Sequence, residues 1–232
     1  MSQEESEKIP SLGVMGAVSK IMFEIKKPDR KVSFREKIGW TAVILIFYLI
    51  MSELPLYGVA GGGYDYLYWS RLILASSRGT VLELGIGPIV TAGLIMQLLV
   101  GSEMIKWDFS DPVDRKKFSI AQKFLSLILA AVQAGMFIFA KAFGELSLLN
   151  AIMVFFQLFV ASYIVLLLDE AIQKGWGIGS GISLFIAAGV AKSIFWGSFS
   201  VVQSYDGYAQ GAVIQFFQSL WDGKGLYYAF FR

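Results

Sequence analysis

Hydrophobic residues in this chain come in long blocks that are separated by charged residues. Five charge-poor stretches lie at about residues 38–54, 84–102, 124–140, 146–168 and 175–202. Each is close to the length of about 20 residues with which a helix crosses a bilayer. A sixth stretch, at 209–221, is too short to assign. The pattern predicts an all-α, polytopic membrane protein with five transmembrane helices.

Composition supports a membrane location and narrows the chemistry. The 232 residues are 56% hydrophobic and 16% charged, whereas soluble domains carry about 25% charged residues. The chain has no cysteine and no histidine. Disulfides, thiolate nucleophiles and the commonest general base and metal ligand are therefore excluded. We expect no enzymatic activity, no catalytic residue, no metal site and no cofactor.

Positive charge is distributed unevenly about the predicted spans. Most of the 20 lysines and arginines fall in residues 1–37, 103–123 and 169–175, which share one side if the spans alternate. Basic loops stay in the cytoplasm, so we expect a multi-pass protein of the cell membrane with a cytoplasmic N-terminus. Residues 1–37 form a cytoplasmic segment with an interfacial amphipathic helix, 38–202 the membrane unit, and 203–232 an external loop with the possible start of another helix.

The second span begins with two glycines and a proline. Gly85, Gly87 and Pro88 weaken a helix inside lipid, because proline removes a backbone donor and clashes with the preceding turn. Such a break survives only when it is buried in protein or lines a watery cavity. A packing kink and a functional helix break both remain open. The only polar side chains near it in this span are Thr91 and Gln97.

Other features have a structural and a functional interpretation. The glycine-rich run 175–181 is either a loop that packs closely on a neighbour or a helix start beside a pore. Asp169 and Glu170 fit a membrane boundary better than an acid–base pair, since sequence neighbours diverge on a helix. Gln133 and Gln157 are expected to bond neighbouring helices. Lys192 is expected to reach toward the interface, although an intramembrane charge is a functional candidate by default.

A short amphipathic helix is predicted between the first two spans. The glycines at 61–63 precede a stretch, 64–75, that is apolar on one side. This stretch is too short to cross a bilayer and too apolar to be free in water.

Two separated motifs carry a resemblance to a known family. Residues 80–99, which read TVLELGIGPIVTAGLIMQLL, resemble the second-helix signature of the SecY family, the α subunits of the protein-conducting translocation channel. Residues 167–170 (LLDE) and 177–186 (GIGSGISLFI) resemble the start of the family's fifth helix, with one additional residue between Glu170 and Gly177. The resemblance covers about residues 30–200. It favours the archaeal and eukaryotic branch, and we expect an archaeal protein.

The resemblance implies a fold and a set of site residues. The family has ten helices in two inverted halves, and this chain resembles the N-terminal half. Spans two and three would form one side of a lateral gate. Half of a hydrophobic pore ring would come from Ile86, Val90, Ile182 and Ile186, and each i, i+4 pair would share a helix face. The plug that closes the resting channel would include Tyr64, Tyr66, Leu67, Tyr68, Trp69, Leu72 and Ile73.

The expected function is that of the channel-forming subunit of a protein translocase. It would pass secretory polypeptides across the membrane and release membrane segments into lipid. Implied partners are SecE-like and Sec-beta-like small subunits, nascent chains, the lipid bilayer and the ribosome, the last mainly through the half that is absent. The alternative is a secondary transporter of small solutes with broken helices. An intramembrane enzyme would need catalytic residues that the spans lack.

Overall fold

The structure is a computed structural model that describes residues 24–59, 74–202 and 209–221. These residues form α-helices and one π-helical turn, with no β-strand in the described ranges beyond an isolated antiparallel bridge between Pro55 and Thr80. In chain order the elements are α1 (Phe34–Met51), α2 (Gly87–Gly101), α3 (Pro112–Phe139), α4 (Leu148–Ala171), the π-helical turn (Ile172–Trp176), α5 (Gly181–Phe199) and α6 (Ala212–Trp221).

Each of the five predicted spans contains a helix, which confirms the all-helical fold. Three of the described helices are long and apolar enough to cross a membrane: α3, α4 with its π-helical turn, and α5. Helix α2 is apolar but has only 15 residues. The first turn of α1 carries Arg35, Glu36 and Lys37, so this 18-residue helix extends beyond its apolar stretch.

Polar side chains cap the starts of three helices. Ser33 and Glu36 form a reciprocal capping box at the start of α1. Asp111 caps α3 by accepting a hydrogen bond from the Val113 N–H at 2.9 Å, and Ser147 caps α4. Helix α3 therefore begins twelve residues before its predicted span. Its first turns are charged, so apolar patterning could not detect them.

One hydrophobic cluster joins α1, the start of α2, α4 and α5. Tyr48 of α1 is buried and stacks on Phe185 of α5, with ring centroids 4.5 Å apart. Val165 of α4 and Ile86, which precedes α2, are fully buried in the same cluster. Large apolar side chains on the opposite face of α1, including Val43 and Ile46, are exposed. Exposed apolar surface of this kind suits contact with lipid.

Several sequence predictions fall outside the described residues. The predicted plug side chains at 64–73 are among them: Tyr64, Tyr66, Leu67, Tyr68, Trp69, Leu72 and Ile73. So are most of the predicted interfacial helix and the segments 203–208 and 222–232. These assignments and the domain boundaries stay predictions.

Candidate pore site

The break before α2 is a helix start rather than a kink. Gly85 has φ of +54° and the helix begins at Gly87, so Pro88 occupies the second helical position. The first four N–H groups of a helix have no partner within it. The missing N–H of Pro88 therefore removes no helical hydrogen bond. Of the two interpretations of this motif, the structure supports a helix that begins at the break.

Gly85 is required here by a close approach of the preceding chain. A Cβ atom at this position would lie 2.3 Å from the Leu74 carbonyl oxygen and 2.9 Å from the Ser76 Cβ. The next residue, Ile86, donates its N–H to the same Leu74 oxygen at 3.0 Å. The segment Leu74–Ser77, named here the return segment, therefore lies directly against the start of α2.

The structure brings the four predicted pore-ring residues to one apolar cluster. Ile86 is fully buried, and the half-buried Val90, Ile182 and Ile186 pack against the same cluster. Ile86 and Val90 belong to the start of α2, and the other two to the first two turns of α5. Apart from the Tyr48 hydroxyl, the buried side chains of this cluster are aliphatic and aromatic groups, which are poor ligands for an ion.

The two polar residues predicted near the break are not part of this cluster. Thr91 is half-buried and Gln97 is exposed, further along α2. Glu83, just before the break, is buried and accepts a hydrogen bond from the Gly79 N–H at 2.5 Å. In residues 24–59, 74–202 and 209–221, no group of carboxylates is arranged to hold a metal ion.

A tyrosine that sequence reasoning missed holds the return segment. The Tyr48 hydroxyl donates to the carbonyl oxygen of Ala75, which is itself buried. Ala75 also lies beside α5, because its Cα and Cβ are 3.5 Å from the place of a Cβ on Gly189. The return segment thus connects the break to α5. The available signal was the tyrosine hydroxyl itself, placed among apolar residues near the end of the first span.

The start of α5 depends on a second close approach. A Cβ on Gly181 would lie 2.5 Å from Asp169 Oδ1 and 2.8 Å from Asp169 Cα. The Asp169 carboxylate therefore faces the N-terminal end of α5, where the helix dipole favours negative charge. Gln173 Nε2 donates to the other oxygen, Oδ2, at 2.7 Å. Asp169 is only 3% exposed, so it is a buried supporting residue and not an open boundary charge.

Glu170 is also buried, between two lysines. It accepts hydrogen bonds from Lys123 of α3 and pairs with Lys174 at 2.8 Å. Lys174 in turn pairs with Glu24 at 2.8 Å. The hydrogen bond from Lys174 lowers the pKa of Glu24 below its ordinary value of 4.5. This chain of charges connects the N-terminal segment to the C-terminal end of α4 and to the first half of α3.

The stretch between Glu170 and Gly177 contains the π-helical turn. A π-helix closes i→i+5 hydrogen bonds and so holds more residues per turn than an α-helix. Inside this turn the backbone is kinked at Gly175, which has φ of +101°. After it, the Ile178 N–H donates to Thr41 Oγ1 at 3.0 Å, and Trp176 Nε1 donates to the Lys26 carbonyl oxygen at 2.9 Å. The glycine-rich run is therefore closely packed on α1.

Glutamine side chains inside the spans lie against neighbouring segments, and Gln157 bonds the loop after α1 rather than a helix. Gln157 of α4 both accepts from the Tyr57 N–H at 2.9 Å and donates to the Tyr57 carbonyl at 3.3 Å. Gln133 of α3 places Oε1 3.6 Å from the Cβ position of Gly87. Helix α3 thus lies beside the start of α2, as the predicted pairing of spans two and three requires.

Comparison with known proteins gives a consistent result. The SecY family profile matches residues 80–229, and the profile of the plug domain of Sec61p matches residues 46–79. The Sec61 subunit alpha of Dictyostelium discoideum is 43% identical over 216 residues, and that of Schizosaccharomyces pombe is 46% identical over 220 residues. Each alignment covers 90% of this chain and 46% of the relative. The chain therefore spans about half the length of these relatives.

A solved structure shows the same arrangement of helices. Sec61 in the canine ribosome–channel complex from the endoplasmic reticulum superposes with a TM-score of 0.78 at 42% identity, covering 90% of this chain and 46% of that one. The relatives named here are eukaryotic, so the expectation of an archaeal protein is not borne out.

Proposed function

Because the chain belongs to the SecY family, we propose that it forms one half of a protein-conducting channel and supplies half of its pore ring. The observation that carries this proposal is the meeting of Ile86, Val90, Ile182 and Ile186 at one apolar cluster beside two helix starts. A ring of aliphatic side chains excludes hydrated ions by dewetting. The same ring yields to an extended polypeptide, because it makes no specific bonds that must be broken.

The segment between α1 and α2 acts as the plug in this proposal. The match of residues 46–79 to the plug domain of Sec61p supports it. The described end of that segment, the return segment, already lies against Ile86 through Leu74 and against α5 through Ala75. A plug rooted there closes the ring from one side. The aromatic residues from Tyr64 to Trp69 would lie in the plug itself.

Release into lipid would take place beside α2 and α3. Both helices present exposed apolar side chains, among them Leu94 and Leu98 of α2 and Val132 of α3. A signal sequence or membrane segment inserted at this edge contacts the pore ring and lipid together. Nascent secretory and membrane proteins are then the substrates, and SecE-like and Sec-beta-like subunits and the ribosome the partners. The ribosome would bind mainly through the other half of the channel.

The N-terminus faces the cytoplasm in this proposal. Five basic side chains and one carboxylate line a cavity of about 450 Å³ where the N-terminal segment meets the turn after α4: Lys27, Arg30, Lys31, Lys37, Lys174 and Asp29. Basic segments remain on the cytoplasmic side during insertion. The channel would thus be a multi-pass protein of the cell membrane that opens toward the opposite side.

Cysteine crosslinking tests the pore assignment directly, because these 232 residues contain no cysteine. In a channel rebuilt with the second half from a relative, cysteines at Ile86 or Ile182 are expected to crosslink to a stalled secretory chain. A cysteine at Ile46, which is 57% exposed on the face of α1 opposite the cluster, is the matched control and is expected to give no crosslink. Crosslinks at Ile46 with none at Ile86 or Ile182 would contradict the assignment.

Ion leak gives a second, independent measurement. Replacing Ile86 and Val90 with glycine widens the ring and is expected to raise resting ion conductance. The control replaces Ile46 and Ile50 with glycine; they have the same i, i+4 spacing and are both exposed on α1. Each variant exchanges two β-branched side chains for glycine, so equal leak from the two variants would refute the hydrophobic ring.

A further inference from the structure

Lys192 is the one charged residue of α5, a helix otherwise apolar enough to span a membrane. A lysine in such a helix can extend its stem and place its ammonium in water. Here the side chain is only 22% exposed, and its ammonium ends on protein groups. A charge held inside a membrane protein by specific partners marks a functional position. None of the roles proposed above uses Lys192.

The partners of Lys192 come from both ends of the connection between α1 and α2. At the α1 end, Nζ lies 2.5 Å from Glu53 Oε1, 2.9 Å from Ser52 Oγ and 3.2 Å from the Ser52 carbonyl oxygen. At the far end it lies 3.5 Å from Ser77 Oγ in the return segment. One ammonium group on α5 therefore contacts both ends of the segment between α1 and α2.

The contact at Ser77 belongs to a row along α5. Phe185, Gly189 and Lys192 are spaced i, i+4, i+7 and so lie on one helix face. Phe185 stacks on Tyr48, whose hydroxyl bonds Ala75, and Gly189 leaves room for Ala75 itself. Lys192 is the polar member at the end of this row. The three contacts together hold the return segment across the start of α2.

The base of the connection is also closed by backbone hydrogen bonds. The Leu56 N–H donates to the Gly79 carbonyl at 2.9 Å, and the Val81 N–H donates to the Leu54 carbonyl at 3.0 Å. These bonds join the two ends of the segment between α1 and α2 to each other, and they do not attach either end to α5. Of the polar side chains of α5, Lys192 makes the ion pair that fixes this base to the helix carrying Ile182 and Ile186.

We propose that Lys192 is a positioning residue that fastens the return segment, and with it the root of the plug, in the closed channel. Opening then requires the ammonium to release Ser77 while Glu53 and Ser52 retain it. The ion pair with Glu53 holds Lys192 in place, so the lysine is ready to engage Ser77 again when the channel closes. This inference rests on the proposed channel function.

The test compares Lys192→Met with Lys141→Met. Lys141 also pairs with a carboxylate, that of Glu145, at 2.8 Å, but it lies in the loop between α3 and α4, and both side chains are exposed. In the rebuilt channel, Lys192→Met is expected to raise resting ion leak about tenfold, which corresponds to about 1.4 kcal/mol. Lys141→Met is expected to leave the leak unchanged, and Lys192→Arg to stay close to the parent channel.

A labelling measurement separates this inference from the channel function. A single cysteine at Ser76, in the return segment, is exposed to a water-soluble maleimide with and without Lys192→Met. Faster labelling in the variant, with no change from Lys141→Met, supports the fastening role without any channel activity. Ser77→Ala removes only the contact between Lys192 and the return segment. It is expected to raise both labelling and leak, by less than Lys192→Met does. It replaces Lys192→Met if that variant does not fold.

The outcomes are distinct. Unchanged labelling and unchanged leak in both Lys192→Met and Ser77→Ala would overturn the inference while the pore-ring variants still leak. Faster labelling without leak would overturn its role in closure. Absence of crosslinks at Ile86 and Ile182, together with no leak in the ring variants, would instead overturn the channel function. The labelling result alone would then decide whether Lys192 holds the return segment.

Discussion

Replacing Gly85 with alanine tests whether the packing of the return segment keeps the channel closed. Gly85 has φ of +54°, and its absent Cβ would lie 2.3 Å from the Leu74 carbonyl oxygen. Gly79 is the matched control, because it has φ of +68° but no atom within 4 Å of its Cβ position. The two alanines therefore share the backbone strain and differ in the contact with the return segment.

The expected magnitudes follow from these two terms. A left-handed conformation costs an L-residue about 1–2 kcal/mol, and both variants carry this cost. Overpacking against the Leu74 backbone adds about 1–3 kcal/mol to Gly85→Ala alone. Because the oxygen belongs to the main chain, the strain is relieved only when the return segment moves away. A shift of about 2 kcal/mol against the closed arrangement lowers its population relative to the open one about 30-fold.

Resting ion conductance of the rebuilt channel measures that shift, and thermal unfolding in detergent measures the total destabilisation. Gly85→Ala is expected to melt lower than Gly79→Ala and to leak more. Equal leak from the two variants would refute the idea that the return segment holds the channel closed at Gly85. Equal melting temperatures would show that the 2.3 Å approach is relaxed without cost.

Two further predictions concern the start of α5 and the N-terminal segment. Gly181→Ala places a methyl group 2.5 Å from a buried carboxylate oxygen and is expected to destabilise the protein by about 1–3 kcal/mol. The control, Gly197→Ala, lies in open space on the same helix and should change stability by less than about 1 kcal/mol. Thermal unfolding in detergent compares the two variants. Because the hydrogen bond from Lys174 lowers the pKa of Glu24, this contact stabilises above pH 4.5 and is lost as pH falls through the lowered pKa. A spin label at Ile25 should gain mobility on acidification, whereas in Glu24→Gln its mobility should not depend on this pH change.

Apolar periodicity and length predicted the helices because lipid imposes both on a spanning segment. The glycines and proline before α2 likewise predicted a break, since their effect is local. Long-range partners could not be predicted in the same way. Glu170 is buried because Lys123, 47 residues away, neutralises it, and Lys192 finds Ser52 at a separation of 140 residues. Residue type gave the charges, and only the packing of helices determined which of them became buried and paired.

Both predicted pairs of pore-ring residues lie at helix starts, and this placement has a physical consequence. The first N–H groups of a helix lack partners within it, so a helix that begins in an apolar interior needs polar groups from elsewhere. Before α2, the Ile86 N–H finds the Leu74 oxygen and Pro88 has no N–H to satisfy. Before α5, Asp169 lies against Gly181. At both starts, a glycine allows a polar group to approach closely. The packing of the predicted pore-ring residues therefore depends on the buried polar groups beside them. Changing Gly85 or Gly181 should disturb the ring even though neither residue has a side chain in it.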